Sequence, residues 1–299
     1  MFIYMTNQLN EGTHPDGTLG LRRSPLHLHP HHRRNRDMTS ATRPRPRRRA
    51  LTGALATLGL SVGMIMTTNA PTASAATWPT PNGSQGTSST ISVSGTKDYG
   101  MKRYYGTGDL AGDGQEEGQD PIFKLANGAV LKNVILGGPA ADGIHCEGSC
   151  TLQNVWWEDV GEDAATFRGG NGATYQVIGG GAKKAADKVF QHNGGGTLTI
   201  SNFAVQEFKT LYRSCGDCST QYTRKVNLNT IDVTGTGSTA RLVGINVNRN
   251  DVATLRNITI RNDSGRKVVP CQKYNNNTAV GSGPDSKNCL YSTSDVTYR

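Results

Sequence analysis

Short hydrophobic segments recur along the chain at intervals of 21 to 28 residues. In each clear copy an aliphatic residue is followed by a polar residue, an Asn and another aliphatic or aromatic residue, as at 131–134. Further clear copies occupy 152–155, 200–203 and 255–258, and weaker copies occupy 228–231 and 175–178. The third positions of the copies are 133, 154, 177, 202, 230 and 257. A period in the twenties indicates a solenoid, in which each repeat forms one coil.

The residue types within the repeats favour an all-β fold, a right-handed parallel β-helix. The apolar segments are short and rich in β-branched residues, and Gly and Asn, which tolerate left-handed turns, separate them. Leucine-rich repeats need more Leu, and a β-sandwich needs stricter alternation and closer turns. Residues 90–93 are a candidate earlier coil. We therefore expect a single domain of stacked coils.

The N-terminal quarter of the chain differs from the rest. Residues 1–37 carry clustered His and Arg, and we interpret them as an untranslated or disordered leader. A basic stretch at 43–49, an apolar run at 50–66 and Ala73-Ser74-Ala75 indicate an export signal over 38–75. The folded domain is then 76–299, and we expect it to be secreted through the Sec or twin-arginine route. The apolar run is short for a membrane span, so no stable membrane association is expected.

Removing the leader changes the charge. Of the 32 Lys and Arg residues, ten precede residue 76, as do three of the 23 Asp and Glu residues, which leaves 22 basic and 20 acidic groups. A net charge near +2 does not call for a nucleic-acid partner. The alternative is that the basic leader itself binds nucleic acid. We expect a monomer.

All six Cys residues lie in the predicted domain. An even number behind an export signal predicts disulfides, and pairing neighbours along the chain (146–150, 215–218 and 271–289) is the simplest of the possible arrangements. The alternative for Cys215 and Cys218 is a redox or zinc motif, which the secretory context disfavours.

Carboxylates are densest directly after the segment at 152–157. Glu158, Asp159, Glu162 and Asp163 fall within six residues, and such crowding is unfavourable without a cation because like charges repel. With coils of about 21 residues, Asp142 lies beneath Asp163. Oxygen ligands without a His or thiolate cluster suit a hard cation, calcium above all. A solvated acidic turn is the alternative.

Basic residues follow in the next coils. Lys184 and Lys188 precede one strand, and Lys209 and Arg213 lie in the next. Positions 163, 188 and 213 are 25 residues apart, so we expect a column of Asp163, Lys188 and Arg213 on one face. A cation site beside a Lys and an Arg suits an anionic substrate. The alternative is a surface ladder of ion pairs.

Two His and two Trp residues lie among these segments. We interpret His145 and His192 first as partly buried polar residues near turns, with a catalytic role as the alternative. Trp156 and Trp157 are expected to be divided between core and surface, with Trp157 the candidate for stacking on a sugar ring.

Five segments together resemble the family 3 polysaccharide lyases, which are single-domain pectate lyases of bacteria, fungi and nematodes. They are 115–119, 140–146, 154–164, 187–194 and 211–218. The resemblance covers residues 85–290. It implies a short β-helix that cleaves polygalacturonate endolytically by β-elimination, depends on calcium and works best at alkaline pH.

The resemblance also implies residue roles. Asp142, Glu162 and Asp163 match metal ligands, with Asp159 as a further candidate. Lys188 matches the base, Arg213 the substrate-binding arginine and alternative base, and Glu117 a carboxylate that holds a catalytic calcium with the substrate. Arg168, Lys209 and Lys184 are the remaining substrate-binding candidates.

The chain departs from the family pattern at two positions. Gly161 stands where many members have Cys, and Arg168 where many have Lys. Arg168 can still bind a uronate carboxylate but cannot readily lose a proton.

Two other functions remain open at this stage. A polygalacturonase-type hydrolase would need a carboxylate pair such as Asp159 and Asp163, but not the Lys and Arg. A non-catalytic polysaccharide-binding β-helix would bind without turnover and would not require Lys188.

Overall fold

The structure, a computed structural model, describes residues 76–299. The predicted leader and export signal lie outside these residues. Within the described part no helix is long and apolar enough to cross a membrane. It contains β-strands and three short 3-10 helices, at Gly108–Leu110, Val247–Arg249 and Thr293–Asp295.

The strands follow one another with few long connections. In chain order they are β1 (Ser84–Thr87), β2 (Ile91–Val93), β3 (Thr96–Gly106), β4 (Phe123–Leu125), β5 (Ala129–Leu136), β6 (Ile144–Cys146), β7 (Cys150–Trp157), β8 (Asp163–Phe167), β9 (Thr174–His192), β10 (Gly196–Ser214), β11 (Arg224–Thr234), β12 (Ala240–Asn246), β13 (Val252–Arg261), β14 (Val268–Asn275), β15 (Thr278–Ser282), β16 (Cys289–Leu290) and β17 (Val296–Tyr298).

Two stacks of parallel strands run along the coil axis. One contains β3, β5, β7, the first part of β9 and β10, β11 and β13. The other contains β2, β4, β6, β8, the last part of β9 and β10, β12 and β14. Strands β9 and β10, of 19 residues each, belong to both stacks. The predicted parallel β-helix is therefore confirmed, and residues 90–93 do contribute an early coil.

The repeated Asn marks one corner of every coil. Asn133, Asn154, Asn202 and Asn257 have φ between 52° and 55°, the left-handed region that Asn tolerates better than most residues. Thr230 takes the same conformation with φ 59°. Asn154 Nδ2 also donates to Asn133 Oδ1 at 2.8 Å, so the corner side chains form part of a ladder.

The weak copy at 175–178 was misaligned in the sequence interpretation. Ile178 pairs with Gln153 and Ser201, which puts Gly179 at the corner instead of Val177. Gly179 has φ 68°, so a glycine supplies the turn that Asn supplies elsewhere.

Aliphatic residues at equivalent positions fill the interior of the coil. Leu131, Leu152, Val177, Ile200, Leu228 and Leu255 stack in register. Each is at most 1% exposed. Rings of Trp157, Phe190 and Phe203 pack edge-on or tilted beside them. Since one coil cannot bury its own inner face, this continuous ladder holds the coils together.

The three neighbour-to-neighbour disulfides are confirmed: Cys146–Cys150, Cys215–Cys218 and Cys271–Cys289. The first two close turns beside the second stack. The third joins β14 to β16, after the antiparallel pair of β14 and β15 has ended the regular coiling.

Candidate active site

A polar cavity of about 420 Å³ lies where β6 and β8 begin and β9 passes beside them. The loop at 111–122 lines one side of this cavity through Glu117. A second polar cavity of about 380 Å³ continues along β10 and β12. Lys188, Gln191 and Glu117 line both, so the two cavities form one extended cleft, here called the polar cleft.

Three buried carboxylates meet in the first cavity. Asp142, Glu162 and Asp163 offer oxygen atoms that all lie within 4.8 Å of one another. The register of β6 and β8 pairs Ile144 with Ala165, which places Asp142 beside Asp163 as the coil length predicted. Their residues are only 9%, 6% and 2% exposed, so water screens their mutual repulsion poorly.

Two glycines allow the backbone to approach closely here. A Cβ at Gly143, where φ is 52°, would lie 2.3 Å from the carbonyl oxygen of Ala164. A Cβ at Gly161 would lie 2.1 Å from the carbonyl oxygen of Ala141. Any side chain at either position would push apart the two coils that carry the carboxylates. The glycine at 161 is thus a packing requirement in this chain.

His145 joins the cluster to Arg168. Its Nδ1 lies 2.8 Å from Arg168 Nη1, and its Nε2 lies 2.6 Å from Asp142 Oδ2. Because a guanidinium only donates, Nδ1 must accept and Nε2–H must donate to Asp142. His145 is therefore neutral in one defined tautomer, and it fixes the orientation of Asp142.

Burial dominates the protonation of the cluster. It raises the pKa of Glu162 to about 7, with repulsion from Asp142 and Glu117 adding to the effect and the Lys188 charge opposing it. Burial likewise raises the pKa of Asp163 well above its usual value, and the charges of Glu162 and Asp142 contribute in the same direction. Without a further cation, the carboxylates resist carrying their full charge.

Lys188 lies among these carboxylates. Its Nζ is 3.5 Å from Glu162 Oε1, 3.5 Å from Asp163 Oδ1 and 2.7 Å from Asp187 Oδ2. Burial opposes its positive charge, but Asp163, Asp187 and Glu162 outweigh that effect and raise the pKa of Lys188. Asp163 Oδ1 nevertheless has no hydrogen bond, and neither does the buried Asp142 Oδ1.

The predicted column of Asp163, Lys188 and Arg213 is half correct. Asp163 pairs with Lys188, but Lys188 pairs with Thr210, and Arg213 pairs with Gln191. The register shifts between Phe208 and Thr210, where β9 takes one more residue than β10. This bulge moves Arg213 into the neighbouring column.

Arg213 still lines the polar cleft, beside the second cavity. Its Nη atoms donate to the carbonyl oxygens of Ser214 and Asn276 and to the side-chain oxygens of Asn246 and Asn277. The guanidinium also stacks on Tyr274, 4.0 Å from the ring centroid. Burial lowers its pKa, and among the described residues no carboxylate forms an ion pair with it. Arg213 is thus a rigidly held cation.

Comparison with known proteins identifies the family. The model of the family described as pectate lyase matches residues 75–279. The chain belongs to the pectate lyase family. A probable pectate lyase D of Emericella nidulans is 44% identical over 223 residues, covering 72% of this chain and 83% of the relative. A probable pectate lyase E of Neosartorya fischeri is 50% identical over 179 residues, covering 59% and 68%.

Solved structures agree with the sequence relatives. The catalytic domain of pectate lyase PelI from Erwinia chrysanthemi has a TM-score of 0.58 and 31% identity, covering 73% of this chain and 98% of that domain. PelI in complex with tetragalacturonic acid has a TM-score of 0.55 and 30% identity, covering 73% of this chain and 70% of that one. This pectate lyase therefore shares both the fold and the sequence pattern of its family.

Two predicted site residues of this pectate lyase lie elsewhere. Asp159 Oδ2 and Lys184 Nζ form an ion pair at 3.0 Å. They line a separate cavity with Arg103 and Glu158, around the other corner of the coil. Neither residue lines the polar cleft. Sequence proximity alone suggested a shared site, and the turn at 158–162 separates Asp159 from Glu162.

The other predicted substrate contacts do border the polar cleft. Arg168 lines the first cavity and Lys209 the second. Lys209 Nζ lies 2.8 Å from Asp187 Oδ1, so Asp187 bridges Lys209 and Lys188. Sequence reasoning missed this role for Asp187, although its position next to Lys188 was a signal.

The aromatic and His assignments are now clear. Trp157 is completely buried and cannot stack on a sugar, whereas Trp156 is half-buried and packs against Trp78. His192 lies inside the coil, where its Nδ1 is 2.9 Å from Tyr212 Oη and burial lowers its pKa to about 3. His192 is therefore a core residue.

Proposed function

We propose that this pectate lyase is a calcium-dependent, endo-acting enzyme that cleaves galacturonan by β-elimination. The observation that carries the proposal is the buried cluster of Asp142, Glu162 and Asp163 in contact with Lys188. The complex of PelI with tetragalacturonic acid supports polygalacturonate as the substrate class. Both the open cleft and the family support a secreted, monomeric enzyme acting on a polymer.

The chemistry of the cluster fits calcium. It provides only oxygen ligands, which a hard cation prefers, and it has no nearby thiolate. The oxygens Asp142 Oδ1 and Asp163 Oδ1 are buried without hydrogen bonds and are therefore free to ligate. We propose Asp142, Glu162 and Asp163 as the ligands, with Glu117 closing the site when substrate is bound. Asp159 is left out because it lies in another cavity.

The proposed reaction begins with a uronate carboxylate bound beside Lys188. Calcium held there would withdraw electrons from this carboxylate, acidify the C5 proton and offset the charge of the protein carboxylates. Lys188 Nζ accepts the C5 proton, and the electron pair of the broken C–H bond forms the C4–C5 double bond. The C4–O bond breaks, and its oxygen leaves with the electron pair and takes a proton from solvent.

Lys188 is the preferred base because its amine borders both cavities and touches the proposed ligands. A lysine base must be neutral, yet the surrounding carboxylates raise its pKa. The proposal therefore requires alkaline pH and an ion that offsets those carboxylates. Arg213 is the alternative base, but its protein hydrogen bonds favour a role as a fixed cation beside the developing negative charge.

Hydrolysis receives less support from the geometry. A hydrolase would need two carboxylates facing one another across the scissile bond. The candidate pair of Asp159 and Asp163 is divided between two cavities. A purely binding protein would have no use for a lysine buried among three carboxylates.

The test uses residues 76–299 with polygalacturonate at alkaline pH. Ultraviolet absorbance follows the new double bond, reducing ends count all cleavages and viscosity reports endo action. We expect one double bond for each new reducing end, an early fall in viscosity and complete loss of activity with a calcium chelator. Reducing ends without absorbance would instead establish hydrolysis, and activity that resists the chelator would refute calcium dependence.

A further inference from the structure

Arg241 lies at the far end of the polar cleft and has no role in the scheme above. It is on β12 and lines the second cavity together with Lys188, Lys209 and Arg213. Strand β12 stacks on the last part of β10, so Arg241 is part of the same rigid surface as the proposed catalytic residues. Side chains held on strands keep their spacing better than side chains on loops.

The observed register gives Arg241 a defined place. Asp163 pairs with Lys188, Lys188 with Thr210, and Thr210 with Arg241. Arg241 thus occupies the column position that sequence spacing assigned to Arg213. Adjacent strands are about 4.8 Å apart, so the backbones of Lys188 and Arg241 are about 10 Å apart along the coil axis.

The guanidinium of Arg241 is the one that the fold leaves available. Within the described residues it forms no hydrogen bond or ion pair, although its Nε is buried. A buried donor without an acceptor is unfavourable unless a ligand completes it. Arg213, by contrast, has both terminal nitrogens bound to protein oxygens.

The acidic residues of the second cavity are already engaged. Asp187 binds Lys188 and Lys209, and Asp217 accepts from Asn277 Nδ2 at 3.2 Å. Four basic side chains face three acidic ones there, which leaves a surplus of positive charge beside Arg241. The ligand that fits an unpaired guanidinium in such a place is a carboxylate, which can accept two parallel hydrogen bonds.

We propose that Arg241 binds the carboxylate of a galacturonate unit remote from the cleaved bond and so determines the length of unesterified chain that the enzyme prefers. The proposal rests on the proposed function and extends it by one subsite. Given the separation of Lys188 and Arg241, the unit bound at Arg241 differs from the unit that loses its proton. Arg241 is a specificity residue, and the chemical step does not involve it.

The experiment measures kcat and KM on a series of oligogalacturonates of increasing length for wild type, Arg241→Gln and Arg241→Lys. We expect Arg241→Gln to raise KM about tenfold or more once the oligomer is long enough to reach the subsite, with kcat nearly unchanged. Shorter oligomers should show no difference. Arg241→Lys keeps the charge without the planar fork, so an intermediate KM is expected.

Arg249→Gln is the matched control. Arg249 is also half-buried with an unbonded Nε, but it does not line the polar cleft. It should leave KM unchanged at every length. Thermal unfolding of all variants checks folding, and Arg241→Lys carries the test if Arg241→Gln does not fold.

The outcomes separate the two claims. Equal KM values for wild type and folded Arg241 variants at every length would overturn the subsite, while the double-bond product of wild type would leave the lyase function intact. A loss confined to kcat, equal at all lengths, would also overturn it. A wild type that forms no double bond from any oligomer would refute the proposed function itself.

Discussion

Raising the pH of chelator-treated protein should destabilise it through Glu162. The folded-state pKa of this carboxyl is about 7, above its ordinary value of 4.5. Between these values the folded state holds a proton that the unfolded state releases. The resulting stability is fully present below about pH 4.5 and is lost as the pH rises through about 7.

The magnitude follows from the size of the shift. One pKa unit corresponds to 1.36 kcal/mol, so a rise from 4.5 to about 7 corresponds to a loss on the order of 3 kcal/mol. For a domain of this size 1 kcal/mol changes Tm by about 2–4 °C. The loss should therefore lower Tm by about 6–12 °C. Calcium should restore the difference at high pH because it binds the ionised carboxylates.

The assay compares Tm of wild type and Glu162→Gln in chelator across this pH range. The comparison is needed because His192, whose buried imidazole has a pKa of about 3, has the opposite effect. Unfolded His192 takes up a proton below about 6.5, so it destabilises the fold as pH falls. Glu162→Gln keeps the His192 contribution and removes the carboxyl.

The reasoning predicts that Tm of wild type minus Tm of Glu162→Gln falls as the pH increases. It also predicts that the stabilisation of wild type by calcium grows over the same range. A Tm difference that stays constant from about pH 4.5 to about pH 8 would show that burial does not hold a proton on this carboxyl.

Three further substitutions test individual contacts. Lys188→Gln should lower kcat by about 10²–10⁴ while calcium binding, measured by titration calorimetry, strengthens because a positive charge 3.5 Å from Glu162 and Asp163 is gone; Lys184→Gln, on the same strand but outside the polar cleft, should change neither. His145→Phe should weaken calcium binding about 10–100-fold through the lost hydrogen bond to Asp142, and His145→Gln should recover part of it; equal affinities for both would argue against this positioning role. Thr230→Asn should raise stability by about 1 kcal/mol in thermal unfolding because φ is 59° there and Asn tolerates that conformation; a lower Tm would show that the Thr side chain has a packing role.

The repeat predicted the coil because its residues have a direct physical function. Asn133, Asn154, Asn202 and Asn257 all occupy the left-handed corner, and the aliphatic residues before them stack in the interior. Regular coils also transmit register over one repeat, which is why Asp142 and Asp163 could be placed together from their spacing.

Register failed where the coil became irregular. The bulge between Phe208 and Thr210 has no mark in the sequence, and it moved Arg213 out of the predicted column while Arg241 took that place. The corner at Gly179 was missed since glycine replaces Asn there. Asp159 was misplaced because a tight turn can direct adjacent carboxylates into different cavities.

The central claim is that Asp142, Glu162 and Asp163 form the calcium site for elimination. Its most direct test is the initial rate of double-bond formation against calcium concentration for wild type, Asp163→Asn and Asp159→Asn. We predict that Asp163→Asn loses the calcium-dependent rate or needs at least about tenfold more calcium, whereas Asp159→Asn follows the wild-type curve. A wild-type curve for Asp163→Asn, or a greater loss for Asp159→Asn, would contradict the account.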